Sequence, residues 1–104
     1  MRNQSFYMII KNSEKLEKII KGAANHYRID TLALLSRRPD LSLLDISKLA
    51  GMNFKTASEH ARRLHLAGLI SKKHKNREVR HNLTDLGKNI LAFFATLEQR
   101  RELK

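Results

Sequence analysis

The stretch Gly51-Met52-Asn53-Phe54-Lys55-Thr56-Ala57-Ser58-Glu59-His60-Ala61-Arg62-Arg63-Leu64-His65-Leu66-Ala67-Gly68-Leu69-Ile70 decides how the rest of the chain is read. Phe54, Ala57, Ala61 and Leu64 recur at the three-and-four spacing that gathers side chains on one face of a helix. Lys55, Thr56, Glu59, Arg62 and Arg63 fall on the opposite face, which therefore presents hydrogen-bond donors and positive charge. Asn53 suits the N-cap, because its side-chain oxygen accepts from an unpaired amide of the first turn. Gly51 suits the left-handed end of a preceding helix, and Gly68 ends the polar-faced one. Helix, short glycine turn and polar-faced helix together form the pattern of a helix-turn-helix.

Upstream, Ser42 followed three residues later by Asp45 resembles a capping box and opens a helix through Leu43, Leu44, Ile46, Leu49 and Ala50. Before it, Tyr27 to Arg37 carries Ile29, Leu32, Leu34 and Leu35 and must stop short of Pro39, since a residue preceding proline is pushed out of helical geometry. Ser13 to Ala24 alternates Lys and Glu around Leu16, Ile19, Ile20 and Ala23, the mark of an amphipathic helix. Phe6, Ile9 and Ile10 extend that stripe toward the N-terminus, so residues 1–12 read either as the start of one helix from about Ser5 or as a short strand before it.

Downstream, Leu69 to His74 and Glu78 to Leu83 read as two strands with Lys75-Asn76-Arg77 at the tip. Thr84 suits the N-cap of a last helix from Asp85 to about Arg100. Its Leu83, Leu86, Ile90, Phe93 and Leu97 are separated by 3, 4, 3 and 4 residues, the repeat of a helix-to-helix seam, which Phe94 and Leu91 widen. A domain this small has less core than that seam offers to cover, so a partner helix is expected.

A chain of 104 residues, 41% hydrophobic, makes one small domain with a thin core, which is a physical reason to expect oligomerisation. It has no cysteine, which excludes disulfides, thiolate metal sites and cysteine nucleophiles. No apolar run approaches the roughly 18 to 20 residues of a membrane span. The apolar patch in the first ten residues is short for a signal peptide and runs into charged helix, so a soluble cytoplasmic protein is expected. Net charge is +11, from 21 Lys and Arg against 10 Asp and Glu, and such a surplus attracts polyanions. From Asn53 to His81, eight of those basic residues face only Glu59 and Glu78, so more than half the surplus lies in under a third of the chain.

Three segments carry a family resemblance. Ser58-Glu59-His60 with Leu64 and Ala67-Gly68-Leu69-Ile70 resembles the recognition-helix signature of ArsR-type winged-helix repressors. Ala23-Ala24-Asn25-His26-Tyr27-Arg28-Ile29, continuing to Leu32, Leu34 and Leu35, resembles the run that leads into that family's second helix. Leu83-Thr84-Asp85-Leu86-Gly87 resembles the segment following the wing in ArsR, MarR and PadR relatives. The matches span about residues 19 to 90, with Ala61 standing where a leucine is usual and His26-Tyr27 where Pro-Thr is usual. The resemblance implies a mainly α winged helix-turn-helix (α+β), about five helices with a two-stranded wing, in a single domain over 1–104. Residues 13–83 would form its core and 84–104 a C-terminal dimerisation helix.

In that reading the protein is a homodimeric double-stranded DNA-binding transcription regulator, with repression by promoter occlusion implied by the family. Lys55, Thr56 and Glu59 are the expected base readers, because lysine donates to guanine, threonine bonds or touches the thymine methyl, and a carboxylate accepts from cytosine. Asn53, at the cap of the reading helix, is also an expected DNA contact, Ser58 and His60 flank the readers where they reach bases or phosphates, and Arg62 and Arg63 are placed to clamp the backbone. Lys72, Lys73, Lys75, Arg77 and Arg80 are the expected phosphate contacts of the wing, Arg77 being the candidate for a minor groove. Leu86, Ile90, Phe93, Phe94 and Leu97 are the expected dimer interface. Because ArsR relatives include metal sensors, the histidines matter: His60 and His65 are five apart and miss the four-residue helical spacing of a zinc pair, while His74 and His81 meet only if the hairpin register allows. No metal, cofactor or catalytic constellation is expected. Two alternatives stay open: a non-specific chromatin or RNA-binding winged helix, and a protein-interaction winged helix with an acidic partner.

Overall fold

The computed structural model describes residues 2–102, and side chains over 6–100. Met1, Leu103 and Lys104, which the expected domain includes, lie outside the described residues. The order is α1 (Arg2–Ile9), α2 (Ser13–Ala23), α3 (His26–Arg37), α4 (Leu43–Ala50), α5 (Phe54–Leu66), β1 (Ile70–Lys75), β2 (Glu78–Leu83) and α6 (Asp85–Glu102). Among the described residues this is a winged helix-turn-helix with six helices, where about five are expected.

The extra helix comes from a break at Ile10-Lys11-Asn12 that replaces both expected readings of the N-terminus. Asn12 leaves helical geometry and its Oδ1 accepts from the Lys15 amide at 3.0 Å, so it starts α2 afresh. The other helix boundaries follow from residues of the same kind. Asn25 accepts from the amides of Tyr27 and Arg28, Ser42 from Asp45 and Asn53 from Thr56. Gly51 closes α4 at φ 70°, where a side chain would be strained. Thr84 accepts from the Gly87 amide and donates to the Gly68 carbonyl, fastening the first turn of α6 to the loop after α5. A Cβ at Gly87 would collide with the Leu69 carbonyl, so glycine permits that close approach.

The buried apolar residues are Ala23, Leu32, Leu35, Leu41, Ile46, Met52, Ala57, Ala61, Leu64, Leu69 and Ile70, one cluster drawing on α2 to α5 and β1. Ala57, Ala61 and Leu64 form the expected inner stripe of α5, but Phe54 does not join it and stands 53% exposed. The stripe begins one turn later than the spacing suggests, because Phe54 is the first helical residue and buried Met52 belongs to the core just before it. The expected seam of α6 is divided. Leu86, Ile90, Leu91 and Phe94 pack on the core, whereas Phe93 and Leu97 are 51% and 48% exposed.

β1 and β2 pair antiparallel from Ile70↔Leu83 to Lys75↔Glu78, leaving Asn76 and Arg77 as a two-residue turn with φ of 51° and 71°. Both central residues at positive φ are what the right-handed twist of a hairpin asks for. A bridge between Leu41 and His81 ties the α3–α4 loop to β2.

Candidate nucleic-acid interface

Asn53 spends its side chain on the Thr56 amide and so fixes where α5 begins. Lys55 and Ser58 are exposed and Thr56 half-buried, which leaves the N-terminal half of the helix open to a ligand. Glu59, an expected base reader, stands at the centre of a fork. Its carboxylate accepts from Arg62 Nε and Nη2 at 3.0 and 2.8 Å and from Arg63 Nε at 2.9 Å. Those hydrogen bonds, Arg62's first and Arg63's second, hold its pKa down to about 2. The carboxylate therefore stays charged and holds two guanidinium groups beside it on the helix.

His60 is placed differently from its neighbours. It is half-buried and turned to α3, where its Nδ1 lies 3.1 Å from Arg28 Nη1 and its ring stacks on Tyr27 at 5.8 Å between centroids. Burial, followed by the Arg28 charge, lowers its pKa. It does not share the open surface of Lys55 and Ser58.

In the wing, Lys72, Lys73, Lys75 and Arg77 are exposed, and Lys72, Lys73 and Arg77 have no salt-bridge partner among the described residues. Residues opposite one another in a pleated ladder share a face, so Lys73 lies with Arg80 and Lys75 with Glu78, while Lys72 shares the face of buried His81. Arg80 is half-buried at the wing's base. Its guanidinium donates to the Asp40 carbonyl at 3.1 Å and pairs with Glu78 at 2.7 Å. Asn82 adds a reciprocal pair with Asp40, accepting from its amide and donating to its carboxylate. Asp40, held at φ 66°, is thus the post to which the hairpin is tied. His81 is 2% exposed and donates Nδ1–H to the Leu41 carbonyl, so burial holds its pKa down while that bond raises it.

The register sets His74 opposite Val79 and His81 opposite Lys72, so these two histidines do not pair. Among the described residues no group of three His, Asp or Glu lies close enough to hold a metal ion, and no helix is long and apolar enough to cross a membrane. Sequence reading passed over Tyr27, Arg28, Asp40 and Asn82, which support the helix and the wing from outside. Tyr27 and Arg28 fall in a segment that carries the family resemblance, but nothing local marks their partner on another helix.

No protein-family model matches the chain, and no curated protein matches it in sequence. Solved structures do. The homodimeric winged helix-turn-helix DNA-binding domain of a possible ArsR-family transcriptional regulator from Mycobacterium bovis superposes with a TM-score of 0.76 at 21% identity, covering 83% of this chain and 80% of that one. HlyU from Vibrio cholerae gives 0.70 at 25% identity, over 86% and 94%. A predicted DNA-binding transcriptional regulator from E. coli gives 0.69 at 22% identity, over 84% and 90%. The chain therefore carries the winged helix-turn-helix fold of these regulators and resembles the ArsR type among them.

Proposed function

We propose that the chain is a sequence-specific double-stranded DNA-binding transcription regulator that works as a homodimer. The observation that carries this reading is the N-terminal end of a capped α5, with Lys55 and Ser58 exposed and Thr56 half-buried between them, followed in the chain by a hairpin that bears four exposed cations. A helix of this kind fits the major groove with its N-terminal residues at base edges. Lys55 and Thr56 read bases, with Ser58 beside them. Glu59 holds Arg62 and Arg63 for the backbone, and Lys72, Lys73, Lys75 and Arg77 neutralise phosphates. Promoter occlusion is the mode of repression that the family resemblance implies.

Self-association rests on apolar surface that the terminal helices leave bare. Phe93 and Leu97 on α6, Leu16 and Ile20 on α2, and Phe6 to Ile10 in and after α1 are all 43% exposed or more. Leu86, Ile90 and Phe94 underlie the α6 part from the core side. Surface of this character on so small a domain suits a second copy, and the homodimeric neighbour supports it. Selection of bound duplexes from a random pool tests the reading. A palindrome with half-sites about one helical turn apart is expected. Equal affinity for random and single-stranded DNA would favour a non-specific binder, and no binding to any duplex at low salt would favour a protein partner.

A further inference from the structure

Arg28 is 8% exposed, and its guanidinium touches two helices besides its own. From the first turn of α3, Nη1 donates to His60 Nδ1 on α5 at 3.1 Å and Nη2 to the Lys21 carbonyl on α2 at 3.4 Å. Its Nε is buried without an acceptor among the described residues, so these two bonds carry what polar compensation the group has. Tyr27 closes the arrangement, stacked on His60 and, at 4.1 Å, against His26.

We propose that Arg28 is a positioning residue for DNA recognition, setting α5 against α2 and α3 through a bond that His60 accepts only when neutral. This rests on α5 being the DNA-reading helix. A guanidinium has donors and no acceptor, so His60 must offer the lone pair of Nδ1 and carry its proton on Nε2. An imidazolium has no lone pair to offer and would set a second positive charge 3.1 Å from Nη1. The groups around His60 are Arg28, Tyr27 and His26 from α3 and Glu59 and Arg63 from α5, while Arg28 itself is also held by the Lys21 carbonyl of α2. Burial, Arg28, Arg63 and His26 all disfavour its protonation, and Glu59 alone favours it. The bond is therefore kept at neutral pH and lost on acidification below the ordinary histidine range of about 6.5.

Two protonation effects on binding oppose each other. Protonating exposed histidines adds positive charge and strengthens binding to a polyanion, whereas protonating His60 unseats α5 and weakens it. The experiment measures binding of the full chain to a duplex chosen from the random pool, between pH 5 and 8 at fixed ionic strength, for wild type, His60→Asn and His60→Leu. Asparagine places an acceptor near the position of Nδ1 and does not titrate. His60→Asn is expected to bind like wild type at pH 8 and more tightly than wild type at pH 5, on the order of tenfold, the worth of a hydrogen bond to a charged group. His60→Leu, which offers no acceptor, is expected to bind more weakly than His60→Asn at every pH. Superimposable pH profiles for wild type and His60→Asn would overturn the proposal, whether or not His60→Leu folds. A wild type that binds no duplex at any pH would overturn the DNA reading beneath it.

Discussion

The recognition helix and the wing are both rich in cations, but they hold them in opposite ways. On α5, Arg62 and Arg63 are locked to Glu59 by three hydrogen bonds between 2.8 and 3.0 Å. At the wing tip, Lys72, Lys73 and Arg77 stand exposed with no such partner among the described residues. Fixed geometry suits register on the backbone, because a donor aimed in advance loses less freedom on binding and holds the reading residues in place. Loose cations suit neutralisation, which depends on number and reach more than on angle.

The largest expected effect follows from the loose set. With roughly 6 to 10 phosphates neutralised per dimer, affinity should fall by about 10³-fold or more between roughly 50 and 200 mM salt, read as the slope of log affinity against log salt. A flat response would mean that the wing is a solvated hairpin and nothing more. A smaller effect tests the locked set. Glu59→Gln removes the carboxylate and releases both arginines, so binding to random duplex should tighten several-fold while preference for the selected site narrows. Because the carboxyl is held down to about 2, wild type should show no pH dependence from this group above about pH 4. Unchanged preference in the variant would deny the fork its aiming role.

The smallest effect sits at the apex of the hairpin. Arg77 occupies φ 71°, a position where glycine is free of strain and arginine is not. Arg77→Gly should raise the melting temperature by about 4 °C, in keeping with relief of roughly 1 kcal/mol, while lowering DNA affinity. Opposite signs in one variant would show that the strained arginine is kept for contact rather than for the turn. A gain in stability with no loss of affinity would remove Arg77 from the interface.

Much of this architecture was legible in the sequence where its cause is local. Asn53, Ser42, Gly51 and Thr84 each act on backbone within a few residues of themselves, so cap and turn chemistry could be read from neighbours alone. The departures have causes that are not local. His60 was grouped with the outward flank of its helix because nothing nearby reveals Arg28, 32 positions earlier. Arg80 counted as a free wing cation until the α3–α4 loop brought Asp40 to it across 40 positions. Phe54 kept perfect spacing with Ala57, yet periodicity does not say where the core ends. The break before α2 rests on Asn12, a cap that neither reading of residues 1–12, continuous helix or short strand, picks out.

The division of labour between helix and wing is tested most directly by the ratio of affinities for the selected duplex and a scrambled one, measured for Lys55→Ala and Lys73→Ala. Lys55→Ala should lower that ratio by about tenfold or more, with affinity for the scrambled duplex nearly unchanged. Lys73→Ala should weaken both duplexes alike, keep the ratio and reduce the salt slope by about one per subunit. If both variants left the ratio intact, or shifted it equally, α5 would not be the element that reads sequence.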